Sequence, residues 1–278
     1  MDVVSVKRIR ELYSGRGYEL TTAGGLPVFT SDGLLYDERE NVVRRKIGVS
    51  LCSGCRIGCV YCFTNRLKKF CPLTAEEIVA QVDLAINDSS WLTRDYDELK
   101  ISFKQMGDPL VNPEGTLTAI QRLAQRLPAA QFVVSTSGAR LNGDFFRQLA
   151  KLGTDGISIR LQFSCHTTSN DERRRLSPKL DMLTFEELSE LVRAWPHDRA
   201  TLNFVVMDGF SYDATVIGRV FDRDRVFVKV GHIDRNHCTA QAGLVTAAND
   251  KVREFETGLE SVGFTFARRF SPISYLHG

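Results

Sequence analysis

The sequence lacks any apolar run long enough to cross a bilayer, which takes about 20 residues. Residues 1–15 carry mixed charge and no hydrophobic segment of the signal-peptide type. The net charge is also small, +2, which argues against strong nonspecific binding of nucleic acid. Together these absences predict a protein of the reducing cytoplasm with no membrane partner.

The chain has no internal repeat and no low-complexity segment. Its hydrophobic content of 43% and charged content of 25% are those of a soluble globular protein. A length of 278 residues suits one large α/β domain or two smaller ones. Four short basic runs are typical of solvated faces and helix ends, and they would bind phosphate only if they lay together. These runs are 44–46, 66–69, 173–175 and 268–269.

Residues 1–45 are predicted to form a small N-terminal extension. Residues 4–13 predict a helix. Short strands are predicted at 18–22, 27–30 and 34–36. The turn signals Gly24-Gly25 and Asp32-Gly33 separate these strands. The extension is therefore expected to combine a helix with a β-hairpin.

From residue 46 to 278 strands alternate with helices. The strands are predicted at 46–51, 99–103, 131–135, 156–163, 200–207 and 226–230. Helices begin after Thr74 and Thr184, because each is followed three residues later by a glutamate, as in a capping box. Strands in this alternation form parallel βαβ units. Six such units predict the α/β class and a partial (β/α)6 TIM-type barrel.

The chemically informative residues follow the predicted strands, and barrels of this kind carry their chemistry at the carboxyl ends of the strands. A cysteine loop follows the first strand. The later clusters are Gly107-Asp108, Ser135 to Gly138 with Ser137, Ser164-Cys165-His166, and His232 with Asp234. Such clusters at one end of a sheet are hard to explain by structure alone.

Four cysteines lie in the loop, and the last three, Cys55, Cys59 and Cys62, have the spacing C-x3-C-x2-C. Three thiolates on a tight turn can hold three irons of a cubane cluster and leave the fourth iron open. A zinc site is an alternative, but the gap between its two pairs would be only three residues. A disulfide framework is disfavoured by the odd count of seven cysteines, and a C-x2-C redox pair leaves two of the four unexplained.

The cysteine motif, with the aromatic Tyr61 before its last cysteine, resembles the signature of the radical S-adenosylmethionine (SAM) superfamily. The order of the later motifs resembles its RlmN/Cfr-type branch, which methylates adenine in RNA. These motifs are Met106 to Asn112, Ser135 to Gly138, Phe163 to His166, Asn170 to Arg173 and Phe204 to Gly209. The resemblance covers about residues 17–270.

The resemblance implies that Cys55, Cys59 and Cys62 ligate a [4Fe–4S] cluster whose open iron binds SAM. Reductive cleavage of SAM would give a 5′-deoxyadenosyl radical that abstracts hydrogen from a small molecule, a peptide, or a nucleotide or RNA. A low-potential flavodoxin or ferredoxin would donate the electron. The implied SAM contacts are Gly107 and Asp108 at the amino group, Ser137 and Ser164 at the carboxylate or ribose, Tyr61 near the adenine, and His232. A strand-end turn with helix capping is the alternative for Ser135 and Ser137, and core packing is the alternative for Tyr61.

The sequence departs from the branch where methyl transfer needs two further cysteines. One of these positions is Gly48, and the C-terminal segment 268–278 has no cysteine. Candidate catalytic residues are therefore Cys165, Cys238 and His166. The leading hypothesis is a radical SAM enzyme with an unidentified substrate. The alternatives are an RNA methyltransferase with a relocated thiol, for example Cys238, and a non-catalytic zinc or iron–sulfur module that senses redox state.

Overall fold

The computed structural model describes residues 3–12, 14–37, 42–67, 69–88, 90–92, 95–233 and 235–269. Tyr13, Asp234 and residues 270–278 lie outside these ranges. The first of two compact units comprises Met1–Arg56, Leu67–Ser135 and Asp144–Ile159, and the second comprises Ile57–Arg66, Thr136–Gly143 and Arg160–Gly278. The division into a 1–45 extension and a 46–278 barrel stays a prediction. Among the described residues, no helix has the length and apolar character that crossing a membrane requires.

The first unit is a mixed sheet with helices. Its strands are β1 (Val4–Leu12), β2 (Gly15–Thr22), β3 (Pro27–Tyr36), β4 (Val42–Val49), β5 (Cys52–Ser53), β6 (Cys71–Pro72), β7 (Glu98–Phe103) and β8 (Gln131–Thr136). Its helices are α1 (Ala75–Asn87), α2 (Pro113–Arg126) and α3 (Asp144–Thr154). Strands β1 to β4 form an antiparallel meander, β4, β7 and β8 run parallel, and β5 pairs only with β6. Three of the predicted strand–helix units therefore lie here.

The prediction of a helix over residues 4–13 is wrong, because Val4–Leu12 is strand β1. It pairs antiparallel with β2 from Val4–Thr22 to Leu12–Gly15, with a bulge after Val6. A short segment whose apolar residues recur at helical spacing can still form a strand when a partner is available. Here the β-branched Val4, Val6 and Ile9 favour the extended form. The hairpin partner therefore decides the structure.

The predicted turn at Asp32-Gly33 is also wrong, because β3 continues through both residues. Asp32 is fully buried and forms an ion pair with Arg45 of β4 at 2.6 Å, with the Arg45 side chain 2% exposed. Arg45 Nη2 also donates to Ala85 O at 2.6 Å. One residue of the basic run 44–46 therefore lies in the core of the unit and not on a solvated face.

Helix α1 begins at the predicted capping box. Glu77 N donates to Thr74 Oγ1 at 3.2 Å, and Thr74 N donates to Glu77 Oε2 at 2.9 Å. We expect Thr74→Ala to lower the free energy of unfolding by about 1 kcal/mol, because it leaves the Glu77 amide in the first turn of the helix without this acceptor. Chemical denaturation checks this, and Thr74→Ser, which keeps the hydroxyl, should unfold like the wild type. Equal losses in both variants would contradict the assignment.

The second unit is a parallel sheet in the order β9 (Ile159–Ser164), β10 (Ala200–Val206), β11 (Val226–His232) and β12 (Phe266–Arg269). Its helices are α4 (Asn170–Leu176), α5 (Phe185–Ala194), α6 (Ala214–Val220), α7 (His237–Gln241) and α8 (Asn249–Ser261). Strand β10 is buried along its whole length, as a central parallel strand should be. Thr184 caps α5 as predicted. The α/β class and the sequence of six strand–helix units are thus confirmed in the described residues.

Candidate active site

The cysteine loop leaves the sheet after β4 and is tied at both ends. Leu51 N and Cys52 N both donate to Met106 O, at 2.7 and 3.1 Å. Leu73 N donates to Leu51 O at 3.0 Å. Asn112 Nδ2 donates to Leu51 O at 2.7 Å and to Leu73 O at 2.8 Å. The start and the end of the loop are therefore fixed to each other and to the segment after β7.

The structure describes all seven cysteines, and none of them is in a disulfide. The predicted ligands Cys55, Cys59 and Cys62 are half-buried, whereas Cys52 is buried and burial raises the pKa of its thiol. Within the described ranges no three His, Cys, Asp or Glu side chains stand in a metal-ligating arrangement. The donor chemistry nevertheless fits a cluster, because three partly exposed thiols follow one another on one loop. Gly58, with a φ of 75°, allows the chain to turn between the first two.

Gly107 and Asp108 follow β7 and lie against the start of the loop. Gly107 has a φ of 90°, and a Cβ at this position would lie 2.7 Å from Cys52 Sγ. Asp108 is 6% exposed, and its Oδ1 accepts from Leu110 N at 3.0 Å. The carboxylate thus caps the turn Pro109–Val111. This use of the side chain is compatible with a ligand contact made by the backbone at Gly107.

Ser137 lies in the turn after β8, and a buried arginine orders this turn. Arg173 is 3% exposed and donates to Ser137 O at 3.2 Å and to Leu183 O at 2.5 Å. Its guanidinium also lies over the Phe185 ring at 4.9 Å, and burial lowers its pKa. The basic run 173–175 therefore contributes one residue to the inside of the second unit.

Ser164, Cys165 and His166 stand at the end of β9. Cys165 is 1% exposed, and burial raises the pKa of its thiol to about 11. A thiol with this pKa stays protonated at neutral pH, which disfavours a thiolate role in this conformation. His166 has a φ of 64°, and its ring meets Tyr61 edge to face with centroids 5.0 Å apart. The structure thus brings together two of the predicted site residues, Tyr61 and His166.

His232 and Cys238 stand at the end of β11 and on α7. The His232 Nδ1 atom is buried and has no hydrogen-bond partner among the described residues, so it is a polar atom that a ligand would satisfy. Burial and then the neighbouring Cys62 raise the pKa of Cys238. Asn236 Nδ2 donates to Tyr61 O at 3.2 Å and so ties the start of α7 to the cysteine loop. Cys238 is therefore placed near a predicted cluster ligand.

Sequence reasoning missed three residues that hold these elements in place: Asn112, Arg173 and Ser177. Ser177 Oγ lies 3.2 Å from Cys59 Sγ, although the two residues are 118 positions apart. Asn112 and Arg173 belong to motifs noticed for their resemblance, without a structural role. Their partners are mostly backbone carbonyl groups, which no side-chain motif reveals.

A surface groove of about 610 Å³ lies elsewhere, in the first unit. It is lined by Thr118, Arg122, Phe132, Leu152 and Asp155, among others. None of the predicted site residues borders it. It stands near the start of β8, whereas barrel chemistry belongs at the carboxyl ends of the strands.

The sequence was compared with models of known protein families. A family model described as the radical SAM superfamily matches residues 49–216. This stretch contains the cysteine loop, the Gly107 turn and Ser164 to His166.

Two curated relatives are similar to this chain over more than half of its length. The chain is 30% identical over 247 residues to a probable dual-specificity RNA methyltransferase RlmN of Desulfitobacterium hafniense, covering 84% of this chain and 66% of the relative. It is 31% identical over 185 residues to the dual-specificity RNA methyltransferase RlmN of Campylobacter hominis, covering 62% and 49%. The aligned part of the chain thus spans from just under half to just under two thirds of the length of these relatives.

One solved structure matches nearly the whole chain. A radical SAM methyltransferase from Sphaerobacter thermophilus aligns with a TM-score of 0.77 and 22% identity, over 98% of this chain and 78% of that one. At this identity the likeness concerns the fold. It confirms the expected partial (β/α)6 TIM-type barrel.

Proposed function

The chain belongs to the radical SAM superfamily, and from this premise we propose that it uses SAM to abstract hydrogen from a substrate that is not yet identified. A [4Fe–4S] cluster and SAM are the cofactors of such an enzyme. When bound, the cluster supplies the electron that splits SAM into methionine and a 5′-deoxyadenosyl radical. The residues of this chain bind the two groups, orient them and exclude water.

The cysteine loop is the observation that carries the proposal. Cys55, Cys59 and Cys62 are the proposed ligands, because they have the C-x3-C-x2-C spacing and their thiols are half-buried. A cluster at a partly exposed site can exchange an electron with a protein donor. A flavodoxin- or ferredoxin-type protein is the proposed donor.

The proposed SAM contacts lie at the ends of successive strands. The left-handed backbone at Gly107 lets a ligand amino group approach the main chain beside Asp108. Ser137, in a turn ordered by a buried arginine, and Ser164, at the end of β9, offer hydroxyl groups for a carboxylate or ribose. Tyr61 offers a ring face for the adenine, and His232 offers an unsatisfied nitrogen.

His166, next to Tyr61, is the proposed catalytic residue, as a proton donor or acceptor toward the substrate. Its ring is already held against Tyr61. Cys238 is the better of the two candidate thiols, because Cys165 is more deeply buried and its pKa is about 11. A chemical role for Cys165 would require that the end of β9 opens.

A second candidate function is RNA methylation, which the names of the curated relatives suggest. The position of one methyl-transfer cysteine of that branch is Gly48 here. A Cβ at Gly48 would lie 2.5 Å from Gln105 Nε2 and 2.7 Å from Ser31 Oγ, so a thiol there would have to displace both. Methylation by this chain would therefore depend on another thiol, for which Cys238 is the candidate.

The test of the proposed function is anaerobic reconstitution followed by addition of dithionite and SAM. We expect a brown protein with iron and sulfide in equal amounts that releases 5′-deoxyadenosine. Cys59→Ala should lose the colour and reduce the product to background, whereas Cys71→Ala, a thiol outside the motif, should keep both. A colourless protein that holds zinc would overturn the proposal and leave a non-catalytic sensing module.

Methylation is distinguished by its product. Incubation of RNA with methyl-labelled SAM would give labelled adenine with two SAM molecules used per methyl group, and Cys238→Ser would abolish the labelling. Release of 5′-deoxyadenosine by the wild type without labelled RNA would favour hydrogen abstraction from another substrate.

A further inference from the structure

Residues 176–179, which follow helix α4, contact the cysteine loop at three points within the second unit. Val60 N donates to Leu176 O at 2.9 Å. Ser177 Oγ lies 3.2 Å from Cys59 Sγ. Lys179 Nζ donates to Asn65 Oδ1 at 3.2 Å. The segment therefore follows the loop from Cys59 to Asn65.

Contacts within the protein alone hold the Ser177 hydroxyl in place. Ser177 is 3% exposed. It is the C-cap of α4, and its backbone N donates to Arg173 O at 3.1 Å. Arg173 is itself fixed by two carbonyl groups and an aromatic ring. The hydroxyl therefore reaches Cys59 from a rigid helix end.

The Lys179 side chain reinforces the same part of the loop. Its methylene groups lie where a Cβ of Gly58 would be, so glycine at position 58 leaves room for them. The side chain therefore runs along the loop from Gly58 to Asn65, where its ammonium group donates to Asn65 Oδ1. A nearby positive charge and a hydrogen bond to sulfur act in the same direction on a cluster, because both stabilise the form with one more negative charge.

We propose that Ser177 is a positioning residue that orients the Cys59 sulfur and raises the reduction potential of the cluster through a hydrogen bond to it. The inference rests on the proposed function, since it requires that Cys59 ligates the cluster. Hydrogen bonds to ligand sulfurs are one of the means by which proteins set cluster potentials. The Ser177 side of the bond is buried, 3% exposed, so water competes little with this hydroxyl for the sulfur.

A purely structural role for Ser177, as the last cap of α4, is the competing explanation. The chain offers a matched control at the other end of the same helix. Ser169 Oγ accepts from Glu172 N at 3.4 Å as the N-cap. Ser169→Ala therefore disturbs α4 without removing a hydroxyl from Cys59.

The experiment is a potentiometric titration of the reconstituted protein without SAM, followed by electron paramagnetic resonance of the reduced cluster. For Ser177→Ala we expect the ratio of reduced to oxidised cluster at a fixed potential to fall at least threefold, about 30 mV at 59 mV per tenfold change. Ser177→Thr should restore the wild-type ratio. Ser169→Ala should leave the ratio unchanged.

A pair of isosteric variants tests the inference even if the alanine variant fails to fold. Ser177→Thr and Ser177→Val have the same shape and differ in the hydroxyl, so only the valine variant should show the shifted ratio. Equal ratios in these two variants, or an equal shift in Ser169→Ala, would overturn the inference while the cluster itself stands. A wild-type protein that takes up no cluster would instead overturn the proposed function, and the inference with it.

Discussion

Replacing Asp32 by alanine is expected to lower the free energy of unfolding by about 3–5 kcal/mol. The Asp32 side chain is fully buried, and the Arg45 side chain, 2% exposed, donates to it at 2.6 Å. Removal of the carboxylate leaves the buried guanidinium with the Ala85 carbonyl as an acceptor and the Tyr96 ring 5.7 Å away, and neither carries the compensating negative charge. The cost comes from an uncompensated buried charge and not from the lost attraction alone.

Urea denaturation measures this effect, and the chain provides an exposed counterpart. Arg44 pairs with Glu98 at 2.6 Å, but the Glu98 side chain is 53% exposed. Glu98→Ala should cost only about 0.2–1 kcal/mol, as exposed ion pairs do. The double variant Asp32→Leu with Arg45→Met should recover much of the loss. Similar losses for Asp32→Ala and Glu98→Ala would contradict the burial argument.

Gly107→Ala is expected to abolish release of 5′-deoxyadenosine and to destabilise the first unit. A non-glycine residue in the left-handed region costs about 1–3 kcal/mol, and overpacking adds about as much. The new Cβ would lie 2.7 Å from Cys52 Sγ and 3.0 Å from Cys52 N. The start of the cysteine loop would have to move, and with it the bond from Cys52 N to Met106 O.

Gly25→Ala is the matched control for this variant. Gly25 has a φ of 76°, and a Cβ there would meet nothing within 4 Å. It therefore carries the backbone penalty without the collision. The midpoint temperature of unfolding should be lower for Gly107→Ala than for Gly25→Ala. Only Gly107→Ala should lose formation of 5′-deoxyadenosine. Full activity in Gly107→Ala would show that the close approach to Cys52 is dispensable.

Much of the parallel part of the fold was predictable because its elements carry local signals, although the short helices α4 and α7 were not predicted. Thr74 and Thr184 are capping residues that mark the starts of α1 and α5, and the buried strand β10 is mostly apolar apart from Thr201 and Asn203. The N-terminal extension was less predictable. Residues 4–12 form a strand and not a helix because they pair with β2. The continuation of β3 through Asp32 depends on an arginine of the next strand.

The candidate site also contains residues that local patterns predicted and residues that they did not. The cysteine spacing and the strand-end clusters predicted roles for Cys59, Tyr61 and Gly107 from local patterns alone, and these roles stay predictions. Ser177 carried no signal, because a single serine becomes informative only when folding brings its hydroxyl to a sulfur 118 residues earlier. Contacts of this kind follow from the path of the chain and are invisible to local patterns.

The amide of Asn112 has a further consequence for how this loop can vary. It donates to the backbone carbonyl groups at both ends of the cysteine loop, Leu51 O and Leu73 O. Leu73 N also donates to Leu51 O. Lengthening a loop whose ends are already clamped costs little, about 0.6 kcal/mol for each doubling. By this argument an insertion after Leu67 costs little chain entropy, provided that the bond from Lys179 Nζ to Asn65 Oδ1 is kept.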